Sequence, residues 1–189
     1  MGSDGKGVST LVAFWGCPLK CQYCINDFCH DPNIQIRRIS AEELVEEVSI
    51  DDIYFRMSGG GIVFGGGEPI LNSEYIEEVI NLAPFGWQFR IETSLNAKWE
   101  HVERLIPYID QWIIDVKDVN SEIYKKYTGM DNALVIENCN KLAKYVSRNR
   151  ITFRIPRMPN YNSERDIKKS VSYFEKLGET ECFDYIITK

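Results

Sequence analysis

Four of the six cysteines in this 189-residue sequence fall between positions 17 and 29. Three of them form the run Cys17-Pro-Leu-Lys-Cys21-Gln-Tyr-Cys24. Thiolates at C-x3-C-x2-C spacing in one loop can converge on a single metal centre. Iron–sulfur cubanes are normally held by four cysteines, so three ligands would leave one iron open. An open coordination position marks a catalytic centre, by the same logic as in zinc sites. The competing reading is a closed site, with Cys29 or His30 as fourth ligand of a zinc ion or of an electron-transfer cluster. A disulfide framework fits poorly, because the cysteine density is far below the roughly 8–10% of disulfide scaffolds. Cys139 sits on an apolar helical stripe and reads as a small core residue.

Further candidates are Gly65-Gly66-Gly67-Glu68-Pro69, Glu92-Thr93-Ser94, the pair Asp115 and Lys117, and the arginines Arg154 and Arg157. Each has a bland rival: a glycine-rich turn, a simple ion pair, a solvated guanidinium. Their shared placement carries the weight, because each group lies at or just after the carboxyl end of an expected strand. Strands are expected at Val8–Phe14, Ile62–Phe64, Gln88–Ile91, Trp112–Val116, Ile151–Ile155 and Phe183–Ile187. They are short, β-branched or aromatic, and apolar on both faces, as a helix-covered sheet requires.

Helices are expected between them. Ser40-Ala-Glu-Glu43 is a capping box leading into Leu44, Val45 and Val48, its hydroxyl and carboxylate satisfying orphan backbone donors. Asn72 or Ser73 caps a second helix, and Trp99, Val102, Leu105 and Ile106 mark a third, stopped at Pro107. Val135, Cys139, Leu142 and Val146 repeat at helical spacing, as do Ile167, Val171 and Phe174 behind a Ser163 cap. Ser121–Tyr127 reads as a short extra helix.

An eight-unit barrel takes about 250 residues, so this length holds about six βα units. The expected fold is α/β, a partial (β/α)6 barrel of parallel strands; a doubly wound open sheet is the alternative. Both put the functional site at the carboxyl ends of the strands.

Composition bounds the rest. With 44% hydrophobic and 26% charged residues the chain is an ordinary globular one. The net charge of −6 argues against broad nucleic-acid binding, which needs a basic footprint, and against anionic membrane surfaces. No apolar run approaches the ~18 residues of a membrane span. The segment Val8–Trp15 follows acidic Asp4 and lacks a basic start, so it reads as a strand rather than a signal peptide. A cytoplasmic location is expected.

The C-x3-C-x-aromatic-C loop after a first strand resembles the radical S-adenosylmethionine (SAM) superfamily. Within it the chain looks most like glycyl radical enzyme activases of the pyruvate formate-lyase activating type. The resemblance rests on Asp4-Gly-Lys-Gly-Val-Ser-Thr10 ahead of the loop, Asn26 two residues beyond the third cysteine, Gly65–Pro69 after the second strand, and Asp115-Val-Lys117 ending the fourth. It implies that Cys17, Cys21 and Cys24 hold three irons of a 4Fe–4S cluster, with SAM chelated to the fourth. One-electron cleavage of SAM would give methionine and a 5′-deoxyadenosyl radical that takes hydrogen from the substrate.

It also implies residue roles. Tyr23 and Asn26 would flank the adenine. Gly65, Gly66 and Gly67 would let carbonyls approach the SAM ammonium, with Glu68 helping to hold it. Asp115, Lys117 and Glu92 would orient the methionine and ribose ends, and Arg154 would pair with the SAM carboxylate. The implied partners are a glycyl radical enzyme as protein substrate and reduced flavodoxin or ferredoxin as electron donor, in an anaerobic cytoplasm. Three departures stand out. Ser9 replaces the arginine of the segment ahead of the loop, and Glu92-Thr93-Ser94 replaces an Asp-Thr-Asn type run. No ferredoxin-like block of extra cysteines is present, so one cluster is expected. Residues 1–189 read as a single domain, and since members of this group usually continue beyond the sixth strand, as one that is shortened at its C-terminus.

Overall fold

In a computed structural model, which describes residues 7–184, six strands form one sheet. They are β1 (Ser9–Phe14), β2 (Gly61–Gly66), β3 (Gln88–Thr93), β4 (Gln111–Asp115), β5 (Ile151–Arg157) and β6 (Glu179–Asp184). All five pairings are parallel and the spatial order is β1-β2-β3-β4-β5-β6. A doubly wound sheet reverses its strand order at a switch point. This order never reverses, so the sheet winds one way as a partial barrel.

Seven α-helices occur among the described residues: α1 (Ala41–Val48), α2 (Asp52–Ser58), α3 (Ser73–Leu82), α4 (Trp99–Leu105), α5 (Ser121–Thr128), α6 (Ala133–Tyr145) and α7 (Glu164–Phe174). The Ser40 box forms as read: Ser40 Oγ accepts from Glu43 N at 3.2 Å and Glu43 Oε2 from Ser40 N at 2.8 Å. Ser163 makes a second box with Asp166 at the start of α7. Asn72 occupies the α3 cap position without a side-chain hydrogen bond.

Alternation along the strands divides two environments. Ile62, Phe64, Ile91, Trp112, Ile114, Ile151 and Phe153 are fully buried in one cluster with Val102, Leu105, Leu142, Cys139 and Phe174 from the helices. The opposite face is polar. There Arg90 reaches across β2 to Ser9 Oγ at 3.0 Å and to Gly59 O at 3.0 Å, and Gln111 Nε2 donates to Thr152 Oγ1 at 2.9 Å. Further along, Glu92, Asp115, Arg154 and Glu181 share this face.

Two elements differ from the sequence reading. The last strand starts at Glu179, four residues before the expected Phe183, and residues 185–187 of the expected strand lie outside the described ones. Its Glu179, Glu181 and Phe183 fall on the polar concave side, so the apolar signature of a two-sided buried strand is absent. Helix α2 was not anticipated, because Ile53, Tyr54 and Met57 point outward and only Phe55 is buried.

Candidate functional site

The cysteine loop leaves β1 and is fastened on three sides. Gly16 N donates to Cys29 O at 3.2 Å and Cys29 N to Asn26 O at 3.0 Å. Lys20 N reaches Thr128 O at 2.9 Å and Gln22 N reaches Tyr127 O at 3.2 Å, so the backbone on either side of Cys21 hangs on the carboxyl end of α5. Toward β2, Gly67 N donates to Phe14 O and Glu68 N to Gly16 O, each at 2.8 Å, while Asn26 Nδ2 donates to Gly66 O at 2.9 Å.

The glycines permit that last approach. Gly66 has φ +91°, a region that disfavours side chains. A Cβ on Gly67 would stand 2.2 Å from Gly16 O. The run therefore brings the loop after β2 against the cysteine loop, backbone to backbone. Glu68 is buried, and its carboxylate accepts from Thr93 Oγ1, Ser94 Oγ and Ser94 N, the last at 2.9 Å. Burial raises its pKa, against the lowering effect of the Ser94 and Thr93 hydrogen bonds.

Cys17, Cys21 and Cys24 all border one cavity of about 110 Å³, together with Gly67, Glu68, Asp115, Lys117 and Arg154. It shares Cys21, Cys24, Glu92, Asp115, Lys117 and Arg154 with a larger cavity of about 370 Å³ that Tyr23, Asn26, Glu181 and Phe183 complete. The two form one cleft at the carboxyl ends of the strands, in the size range of small-molecule sites. Burial pushes the Cys17 thiol up to about 12 and the Cys21 thiol to about 11. A metal centre would bind these cysteines as thiolates and displace their protons.

Cys29 is buried and borders neither cavity, though it lies beside Cys24. Among the described residues no three His, Cys, Asp or Glu side chains are gathered around a single metal ion position. A tetrahedral zinc would need sulfurs within about 4 Å of one another, whereas cubane ligands sit on separate irons. Three thiols bordering one cavity suit a cluster, whose cysteine ligands sit on separate irons.

The charged residues are arranged as a ladder across the strand ends. Lys117, in the left-handed region at φ +56°, is buried against Asp115 Oδ2, while Asp115 Oδ1 is a buried acceptor without a hydrogen-bond partner. Arg154 Nη1 donates to Glu92 Oε1 at 2.8 Å, and Arg154 Nε lies 3.8 Å from Glu181 Oε2. An orphaned carboxylate oxygen beside ammonium and guanidinium groups in a concave wall suits a polar zwitterionic ligand such as SAM.

Tyr23 packs edge-on against Tyr127 and Tyr161 and donates to Pro159 O at 3.0 Å, with its ring on the larger cavity. Gly65 and Gly66 border neither cavity, and the Gly66 carbonyl is taken by Asn26. Arg157 pairs with Glu164 at 3.0 Å on the surface, outside the cleft. Asp4 and Lys6 of the segment ahead of the loop lie outside the described residues. The sequence reading missed Glu181 and Phe183; their signal was the alternate spacing on a strand whose start had been set too late.

Comparison with known proteins agrees with this geometry. A family model described as the radical SAM superfamily matches residues 12–173. The chain is 35% identical to the (2S)-3-sulfopropanediol dehydratase activating enzyme of Klebsiella oxytoca, over 85% of this chain and 69% of that protein. That alignment spans 222 positions, more than this chain contains, so the relative carries segments that this chain lacks. The chain is 27% identical to the pyruvate formate-lyase-activating enzyme of Staphylococcus epidermidis, over 97% of this chain and 75% of that protein. Its fold matches Streptococcus suis SuiB bound to S-adenosylmethionine with a TM-score of 0.71 at 18% identity, over 97% of this chain and 42% of SuiB.

Proposed function

The chain belongs to the radical SAM superfamily, and from that premise we propose that it activates a partner protein by abstracting hydrogen from one of its glycines. It is a radical SAM enzyme of the activase type, using a 4Fe–4S cluster and SAM. When bound, these cofactors supply an electron and a sulfonium whose C–S cleavage releases a 5′-deoxyadenosyl radical; the organic chemistry is theirs and the protein provides position. The observation that carries the reading is the convergence of Cys17, Cys21 and Cys24 on one cavity, with Cys29 outside it.

In this reading the three thiolates would hold three irons. Asp115 and Lys117 fix opposite charges across the cleft floor, and Asp115 Oδ1 has a free acceptor site for a ligand ammonium or hydroxyl. Arg154, tethered by Glu92, presents a guanidinium for a carboxylate. Tyr23 and Asn26 close the mouth, where an adenine would rest. Gly66 and Gly67 let the loop after β2 approach β1 and the cysteine loop closely, and Glu68 holds it to Thr93 and Ser94.

The partner's glycine loop would enter at the open side of the barrel, between β1 and β6. The names of the relatives support a glycyl radical enzyme as the protein substrate. A reduced flavodoxin or ferredoxin is the electron donor we propose, a cytoplasmic setting the location, and one radical SAM domain the unit formed by residues 1–189. No helix among the described residues is long and apolar enough to cross a membrane. The test is electron paramagnetic resonance on anaerobically reconstituted, reduced protein. A 4Fe–4S signal that changes when SAM is added is expected. A cluster signal indifferent to SAM would overturn the reading.

A further inference from the structure

The Tyr124 hydroxyl is buried beneath the cysteine loop with no hydrogen-bond partner. Its helix, α5, buries Tyr124, Tyr127 and Thr128 on one face, the i, i+3, i+4 set of a single side. Tyr127 and Thr128 are the residues whose carbonyls hold Gln22 N and Lys20 N, so the carboxyl end of the helix that carries Tyr124 holds the backbone on either side of Cys21. Two features set this hydroxyl apart from a core phenol. A buried phenol normally finds a partner, and leaving one unpaired costs about 1–3 kcal/mol. The ionisable groups around it are the Cys21 thiol, then Lys117, Glu68 and Asp115, all members of the cleft.

We propose that the Tyr124 hydroxyl donates a hydrogen bond to the Cys21 side of the 4Fe–4S cluster and thereby raises the cluster's reduction potential. The inference rests on the radical SAM reading above. Hydrogen bonds to the sulfurs are among the terms that set such potentials. A donor stabilises the more negative, reduced state more than the oxidised one, which eases electron entry from an external donor. The α5 helix then has two duties: its last carbonyls hold the loop, and its buried tyrosine tunes what the loop carries.

The test is a redox titration of the reconstituted, cluster-loaded protein followed by electron paramagnetic resonance, comparing the unaltered chain with Tyr124→Phe. The expected result is an unchanged iron content and a reduction equilibrium weakened by about tenfold, which for a one-electron couple is about 59 mV to the negative side. Site-specific replacement of Tyr124 alone by ring-fluorinated tyrosine, a stronger donor of nearly the same shape, is expected to move the potential the other way. A fully loaded Tyr124→Phe protein with an unmoved potential overturns the proposal, as does an unmoved potential in the fluorinated protein. Failure of the unaltered protein to take up any cluster would instead overturn the functional reading itself.

Discussion

At the level of single residues, the cysteines divide by what they face. Cys17, Cys21 and Cys24 border the cleft, whereas Cys29 is buried behind it. Cys29→Ala is expected to retain the full iron content and the spectral response to SAM, with stability reduced by about 0.5–3 kcal/mol as for other small core truncations. Cys24→Ala is expected to lose the cluster. Iron analysis and urea unfolding of both variants check this, and loss of iron in Cys29→Ala would point to a closed four-cysteine site. The cysteine spacing was legible because ligand chemistry fixes residue type and local separation together. Asp115, Lys117 and Arg154 were legible as strand-end charges. Tyr124 was not: in sequence it is one aromatic on a helix face, and only the hydrogen bonds from Lys20 and Gln22 reveal that its helix backs the cysteine loop.

At the level of elements, the loop after β2 depends on the absence of a side chain at one position. Gly67→Ala would drive a Cβ to 2.2 Å from a backbone oxygen that cannot swing away. The two loops must separate, breaking the 2.8 Å bonds from Gly67 N and Glu68 N. The expected outcome is a loss of about 1–3 kcal/mol and poor cluster uptake, measured by unfolding and iron content. Helix α2 shows a different dependence. Asp52 accepts from Trp87 Nε1 at 2.7 Å and from Arg56 Nε at 2.8 Å, and the Trp87 bond first, then Arg56, holds its carboxyl below the usual range. A depressed folded pKa adds stability that is present above the unfolded value and is lost as pH falls through the folded one. The unaltered protein should therefore lose stability below about pH 4 along a limb that is shallower in Asp52→Asn, as urea unfolding across that range would show. Capped helices such as α1 and α7 were readable, because a capping box needs only four residues of context. Helix α2 and the start of β6 were not, since one turns its apolar side outward and the other its charged side inward.

At the level of the whole molecule, the site belongs to no single βα unit: Cys21, Glu92, Asp115, Arg154 and Glu181 come from five different segments around one cleft. Ligand binding should thus stabilise the chain globally, but only when the cluster is present to complete the site. With SAM at about 100 times its dissociation constant, the loaded protein is expected to gain about 2.7 kcal/mol, seen as a rise in Tm. The same addition to a Cys17→Ala/Cys21→Ala/Cys24→Ala protein should leave Tm unchanged, and an equal rise in both would mean that the ligand does not need the iron. The barrel class was legible from alternation and length, and the strand order then decided between barrel and doubly wound sheet. That order has a consequence during synthesis. Every strand pairs with the strand made just before it, so the sheet can grow unit by unit as the chain emerges from the ribosome, with little loop-closure penalty at each step. The cysteine loop is made first, yet its backing on Tyr127 and Thr128 arrives only with α5. Until the fourth strand and its following helix have left the exit tunnel, the cysteine loop lacks these two backbone supports, and the cleft is complete only with the sixth strand.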